Sequence, residues 1–151
     1  MTKTTIKRKK IGKIKTPVRA LQKRAEELWK EVCALKYGKF CWVQRYHPEI
    51  KVTHTDTIQI DHCITRANKY FFFDVWNGTP VCSGCNMAKC YDNKSVARAI
   101  DEMVEKRNPA WYKDAIWLDQ TGEPNINFSK IWWLEEKITD LENELATLKK
   151  G

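Results

Sequence analysis

The sequence TIQIDHCITRANKYFFFDVWNGTPVCSGCNMAKC, at positions 57–90, decides the predicted fold. Its first residues, 57–61, alternate between polar and apolar side chains, which predicts a short β-strand. Asn77-Gly78 is a typical turn signal, and residues 79–82 have the pattern of a second short strand. A helix is expected to follow near Cys85. The stretch therefore predicts two short strands followed by a helix.

Helical patterns flank this stretch on both sides. Upstream, apolar residues recur at helical spacing between Thr16-Pro17, a typical helix start, and Gly38, which favours a helix end. Residues 39–56 are expected to form a loop or an irregular hairpin, because His47-Pro48 interrupts any regular element. Downstream, two shorter helices are predicted on either side of Asn108-Pro109.

The C-terminal segment, residues 129–151, carries the most regular pattern. Its apolar residues alternate three- and four-residue steps: Ile131, Leu134, Ile138, Leu141, Leu145 and Leu148. Such a heptad pattern either packs on the upstream helix or forms a homodimer through residues 131–148, and the sequence leaves both open. The predicted fold class is α+β, with a small ββα core, flanking helices and this long C-terminal helix.

The net charge of +8 is concentrated at the start of the 151-residue chain. Ten of the 27 lysine and arginine residues precede Glu26, the first acidic residue, and the rest of the chain is nearly neutral. Residues 1–15 have little apolar surface to bury and are expected to form a flexible basic tail. DNA, a polyanion, is the expected partner of this tail; a tail that only aids solubility is the alternative.

The apolar residues also bear on the cellular compartment. No apolar run approaches the ~20 residues that a membrane span needs, so no membrane partner is expected. The first residues lack the apolar segment of a secretory signal, and a cytoplasmic location is therefore expected. Disulfides are disfavoured in that compartment, so the six cysteines are interpreted as metal ligands or buried thiols.

Three features of the 57–90 stretch fit together. They are Asp61-His62 at the end of the first strand, Asn77 before the second, and a Cys82-x-x-Cys85 knuckle that leads into Asn86 and Lys89. In this order they resemble the HNH, or ββα-metal, endonucleases, in the variant with asparagine at the last position. The resemblance implies that residues 16–128 form an HNH nuclease domain with a ββα-metal core. A looser resemblance, carried by the basic start and the leucine-rich last helix, is to the phage NinG/Rap recombination nucleases; for a phage protein the compartment would be the host-cell cytoplasm.

This resemblance implies a role for each residue of the pattern. His62 would accept a proton from the attacking water, and Asn77 would brace the loop that holds it. Asp61 and Asn86 would supply oxygen ligands for a catalytic Mg²⁺ or Mn²⁺ ion. Successive side chains of an ideal strand point to opposite faces, so the strand must end or twist for Asp61 and His62 to converge. Three basic residues are expected to contact DNA phosphates: Lys89, Arg66 and Lys69.

A second metal site is expected at the cysteine knuckle. Cys82 and Cys85 have the spacing of half a tetrahedral zinc site. Many HNH relatives bring another C-x-x-C pair from upstream, but here Cys41 has no such second cysteine. His47 would complete a Cys₃His site, with His54 as the next choice. The alternative is that zinc is absent and Cys41 is a buried thiol.

These features together predict a metal-dependent DNA endonuclease that hydrolyses phosphodiester bonds. The looser resemblance to the NinG/Rap nucleases implies branched recombination intermediates, or other phage DNA, as substrates. One alternative is a non-catalytic, zinc-stabilised nucleic-acid-binding module in which the cysteine knuckle is only structural. Another is an HNH nuclease that cuts plain duplex DNA, in restriction or homing.

Overall fold

A computed structural model describes residues 16–122 and 127–151, so the predicted basic tail 1–15 lies outside the described residues. The described chain contains six α-helices and two β-strands in this order: α1 (Pro17–Tyr37), α2 (Trp42–Tyr46), β1 (Ile58–His62), β2 (Gly78–Cys82), α3 (Ser83–Cys90), α4 (Lys94–Arg107), α5 (Pro109–Thr121) and α6 (Ile131–Lys150). Two single 3₁₀ turns, Lys69–Phe71 and Val75–Asn77, lie between the strands. The predicted α+β class is confirmed.

The predicted strand–strand–helix unit is present and is built on an antiparallel pair. β1 and β2 pair with Asp61 opposite Thr79, and α3 begins directly after β2. β1 is shifted by one residue from its predicted range and includes His62. A Cβ atom at Gly78 would lie 2.5 Å from the Cys33 sulfur and 2.9 Å from the Trp29 ring, so the start of β2 packs directly on α1. The ββα unit therefore lies against the N-terminal helix.

The first helix begins and ends as its sequence predicts. Thr16 accepts a hydrogen bond from the Arg19 backbone N–H, Pro17 is the first helical residue, and Gly38 ends α1 with a φ of +90°. The prediction of a loop or irregular hairpin over 39–56 is wrong in one part, because α2 lies within it. A five-residue helix is too short to show a 3.6-residue pattern, which is why the sequence did not indicate it.

The C-terminal helix α6 packs on α1 within the same chain. Its buried residues, Trp133, Leu134 and Leu141, join the apolar core formed by α1 and the loop between the strands. Ion pairs also connect the two helices: Arg24 with Glu142, Lys36 with Glu144, and Lys149 with Glu31. Of the two arrangements that the heptad pattern left open, the structure has the packed one; the homodimer through residues 131–148 stays a hypothesis.

A second apolar core lies on the other side of β2. It is formed by buried residues of α2, β2, α3 and α4, among them Val43, Val81, Cys85 and Ile100. The start of α3 is thus fixed between β2 and α4, which positions the residues that follow it. Across residues 16–122 and 127–151, no helix has both the length and the apolar character to cross a membrane.

Candidate active site and metal cluster

The residues predicted for the catalytic site line one cavity. Asp61 and His62, from the end of β1, and Asn86 and Lys89, from α3, line the same space of about 450 Å³. Arg66, from the loop after β1, also lines it. Two segments more than twenty residues apart in sequence are therefore brought together at one end of the ββα unit.

Asp61 is a buried carboxylate whose charge is balanced by Lys89. Its side chain is 6% exposed, and the Lys89 Nζ donates to Asp61 Oδ2 at 2.8 Å and to the His62 carbonyl at 3.0 Å. Burial raises the pKa of the Asp61 carboxyl, and the Lys89 ammonium partly opposes this rise. Lys89 is therefore bound to Asp61 here, whereas the sequence predicted that it contacts a phosphate.

His62 lies against α1. Its imidazole stacks on the Trp29 indole with ring centroids 4.2 Å apart and planes inclined by 17°, while the Trp29 Nε1 donates to the Asp74 carbonyl at 2.7 Å. The His62 Nε2 lies 3.0 Å from the Phe72 carbonyl. A neutral imidazole must donate to a carbonyl, so the hydrogen is on Nε2 and the lone pair on Nδ1. Burial lowers the pKa of His62 to about 4, which leaves the ring neutral at pH 7.

Asn77 connects the two ends of the loop between the strands. Its Oδ1 accepts from the Ile64 N–H at 2.6 Å, and its Nδ2 donates to the carbonyls of Ile64 and Phe71, each at 3.1 Å. Asn77 is fully buried. Because Phe71 precedes Phe72, these bonds also fix the backbone whose carbonyl holds His62.

Gln59 orients the side chain of Asn86. The Asn86 Nδ2 donates to Gln59 Oε1 at 2.7 Å, and the Asn86 Oδ1 accepts no hydrogen bond from the described side chains. The amide oxygen is thus the free ligand atom. The sequence analysis did not single out Gln59, although it lies two residues before Asp61 on a strand and so shares its face.

The other two predicted phosphate contacts lie beside aromatic rings. Arg66 pairs with Glu26 at 3.2 Å and lies over the Phe72 ring. The Lys69 Nζ lies 4.7 Å from the centre of the same ring. Arg66 lines the cavity and Lys69 does not, so of these two only Arg66 belongs to the candidate site.

A separate cluster of four metal-ligating side chains lies at the start of α3. The ligand atoms of Cys41, His54, Cys82 and Cys85 all lie within 4.8 Å of one another. The His54 Nδ1 is 3.5 Å from the Cys82 sulfur and 3.4 Å from the Cys85 sulfur, and the Cys41 and Cys85 sulfurs are 3.6 Å apart. Such a set could hold a metal ion such as zinc.

The prediction that His47 is the fourth ligand is wrong, and the second choice, His54, lies with the three cysteines instead. His47 follows the last residue of α2, and its Nδ1 lies 3.0 Å from Glu49 Oε1, outside the cluster. The chain then returns along the start of α3, where a Cβ atom at Gly84 would overlap the Thr53 carbonyl. Thr55 accepts from the Gly84 N–H at 3.1 Å. His54, between these two threonines, is thereby placed beside the cysteine knuckle.

The thiols of the cluster differ in acidity. Burial would raise the pKa of Cys82, but hydrogen bonds from the backbone of Thr55 and Cys85 and from His54 lower it to about 6. Burial and the neighbouring sulfurs of Cys82 and Cys41 raise the pKa of Cys85. Cys82 therefore supplies a thiolate at neutral pH, the form that binds metal. The remaining thiols lie apart from the cluster: Cys33 in the α1 core, Cys63 donating to Asp101, and the exposed Cys90.

Comparison of the chain with protein-family models, with curated proteins and with solved structures finds no significant match. The interpretation of the two sites therefore rests on their geometry and chemistry.

The buried His62 should make the protein less stable in mild acid. Its pKa is about 4 in the folded state and near 6.5 when unfolded, so the unfolded chain binds the proton more readily between these values. The free energy of unfolding therefore has its full value, as far as His62 is concerned, above pH 6.5. It falls by roughly 3 kcal/mol in total as the pH is lowered toward 4. Urea unfolding of wild type and of His62→Phe at pH 7, 6, 5 and 4.5 measures this. We expect a smaller pH dependence in His62→Phe than in the wild type; equal slopes in the two proteins would contradict the assignment.

Proposed function

We propose that this chain is a metal-dependent DNA endonuclease that hydrolyses phosphodiester bonds. The observation that supports this most strongly is the shared cavity lined by His62, Asp61 and Asn86. It combines a neutral imidazole, which can act as a general base, with a buried carboxylate and a free amide oxygen, which can act as ligands of a divalent ion in metal-assisted hydrolysis.

The oxygen donors of this cavity fit a divalent ion. Asp61 and Asn86 offer hard oxygen ligands of the kind that Mg²⁺ and Mn²⁺ prefer, and these ions complete their shells with water. A buried carboxylate needs a compensating cation, which Lys89 supplies here. A bound ion would stabilise the charge that develops on the leaving oxygen. Lys89 would then be free to exchange its carboxylate partner for a phosphate oxygen.

His62 has the features of a general base. Because its Nε2–H is donated to the Phe72 carbonyl, Nδ1 keeps the lone pair that can accept a proton from water. The low pKa keeps this nitrogen unprotonated well below neutral pH. Trp29, stacked on the imidazole, and Asn77, which fixes the Phe72 loop, hold the ring in one orientation.

We propose that the Cys₃His cluster binds structural zinc. Three cysteines and one histidine form a closed tetrahedral set, which is typical of structural rather than catalytic zinc. Zinc there would fasten the 41–54 segment to the start of α3, the helix that carries Asn86 and Lys89. The two metal sites would thus be connected through one short helix.

Branched recombination intermediates are the substrates we propose to test first, because of the resemblance to the phage recombination nucleases. The test is a cleavage assay of the purified protein on duplex, flap and four-way-junction DNA with Mg²⁺, with Mn²⁺, and without added divalent ion. In the assay without added divalent ion, EDTA removes residual metal. Because EDTA can also remove zinc, this measurement is repeated after zinc is restored. We expect cleavage with Mg²⁺ or Mn²⁺ only, faster on branched DNA, leaving 5′-phosphate and 3′-hydroxyl ends.

The same assay separates the alternatives. Equal cleavage of all three substrates would favour a nuclease for plain duplex DNA. Binding without cleavage under any metal condition would contradict the nuclease proposal and favour a zinc-stabilised nucleic-acid-binding module.

A further inference from the structure

A second, larger groove adjoins the candidate active site. It encloses about 940 Å³ and shares Ile60, Arg66 and Asn86 with the cavity that holds Asp61 and His62. Most of its lining residues come from the second half of α1, from β1 and from the last turn of α6. The two spaces therefore lie side by side on the surface, with the three shared residues between them.

The charged residues of this groove favour an anionic ligand. Four bases line it, Lys30, Lys39, Arg66 and Lys149, against two acids, Glu31 and Asp56. Three of these bases form ion pairs: Lys149 pairs with Glu31 at 3.5 Å, Lys30 with Glu26 at 3.5 Å, and Arg66 with Glu26 at 3.2 Å. Lys39 is exposed and forms no ion pair with any described residue. The four bases and two acids that line the groove give it a formal net charge of +2; Glu26, which pairs with two of the bases, lowers this to +1.

The floor of the groove is apolar. Ala34, Leu35, Ile58 and Ile60 line it, and Leu35 is 46% exposed although it lies on the helix that forms the main core. A channel with an apolar floor and basic walls suits a strand of DNA, whose sugars and bases are partly apolar and whose phosphates are anionic.

We propose that this groove binds the DNA strand where it leaves the cleavage cavity, with Lys39 and Lys149 contacting its phosphates. This inference rests on the proposed nuclease function, because it takes the Asp61–His62 cavity as the point of cleavage. It adds a substrate surface formed by α1 and α6, which lie outside the ββα unit. DNA recognition would then extend beyond the scissile phosphate on one side.

The test compares two charge-matched double variants. Lys39→Gln with Lys149→Gln alters the groove, and Lys106→Gln with Lys113→Gln removes two exposed lysines of α4 and α5 that line neither cavity. DNA affinity is measured without divalent ions at several salt concentrations. Each lost phosphate contact lowers the slope of log affinity against log salt by about 0.9 on duplex DNA. We expect the groove variant to lose nearly 2 from this slope and roughly tenfold in affinity at 0.1 M salt, and the control to lose much less.

The outcomes distinguish this inference from the proposed function. Equal losses in both double variants, or no loss in the groove variant, would overturn the groove proposal even if wild type cleaves DNA. A wild type that binds DNA through Lys39 and Lys149 but never cleaves would support the groove and contradict the nuclease. Wild type that binds no DNA would overturn both. Circular dichroism of each variant checks that these exposed substitutions leave the fold intact.

Discussion

Replacing His62 by alanine is expected to lower the rate of Mg²⁺-dependent DNA cleavage by roughly 10³-fold. A positioned general base contributes about 10²- to 10⁴-fold to such reactions, and the proposed mechanism gives this role to His62, which lines the shared cavity and is neutral at pH 7. DNA affinity should change little, because the substituted ring is 7% exposed and stacked on Trp29 rather than facing the basic groove.

The chain supplies a matched control for this experiment. It has three histidines, and His47 lies outside both the cavity and the metal cluster, paired with Glu49. His47→Ala should therefore cleave at the wild-type rate. Single-turnover cleavage and DNA binding are measured for both variants together with their melting temperatures. Undiminished cleavage by a folded His62→Ala protein would remove His62 from the mechanism.

Loss of a cluster ligand should have the largest effect on stability. Structural zinc contributes on the order of 10 kcal/mol to the folding of small zinc domains, comparable to the whole stability of a domain. We expect one zinc ion per wild-type chain, and Cys82→Ser to lack it and to be largely unfolded at 37 °C. Cys82 lies 3.5 Å from His54 Nδ1 and is one of the four candidate ligands, so its replacement leaves the set incomplete. Zinc content by mass spectrometry and thermal unfolding measure these two effects.

Two matched pairs of variants test the cluster. In each pair the same substitution is made once at a cluster residue and once at a residue outside the cluster. His54→Ala should lose zinc and stability while His47→Ala retains both, because only His54 lies with the three sulfurs. Cys90→Ser serves as the cysteine control, since Cys90 is exposed and outside the cluster. Wild type that contains no zinc and melts at the same temperature with and without chelator would contradict the structural metal site.

The parts of the fold that the sequence predicted are those with local causes. The caps of α1, the alternation of β1 and the heptad pattern of α6 each depend on neighbouring residues, so short-range rules identified them. The Asp61-His62 pair and the cysteine knuckle were found because their spacing along the chain is itself the signal.

The parts that escaped prediction depend on distant contacts. His54 was named only as the second choice after His47, because it reaches the cluster through a return of the chain along α3 at Gly84 that no local pattern indicates. Trp29 meets His62 across thirty-three positions of sequence, and the pairing of Lys89 with Asp61 depends on how α3 packs against β1. The partner of each of these side chains is set by tertiary packing rather than by periodicity.

On the proposed function, the stacking of His62 on Trp29 limits how small a nuclease could be made from this chain. The residues that would define a minimal motif, 57–90, exclude the indole and the helix that carries it. Excised or transplanted onto another scaffold, that motif would keep its ligands but leave one face of the imidazole open to water. If the proposed nuclease function holds, the N-terminal helix supports the general base through Trp29, and any engineered miniature would have to include it.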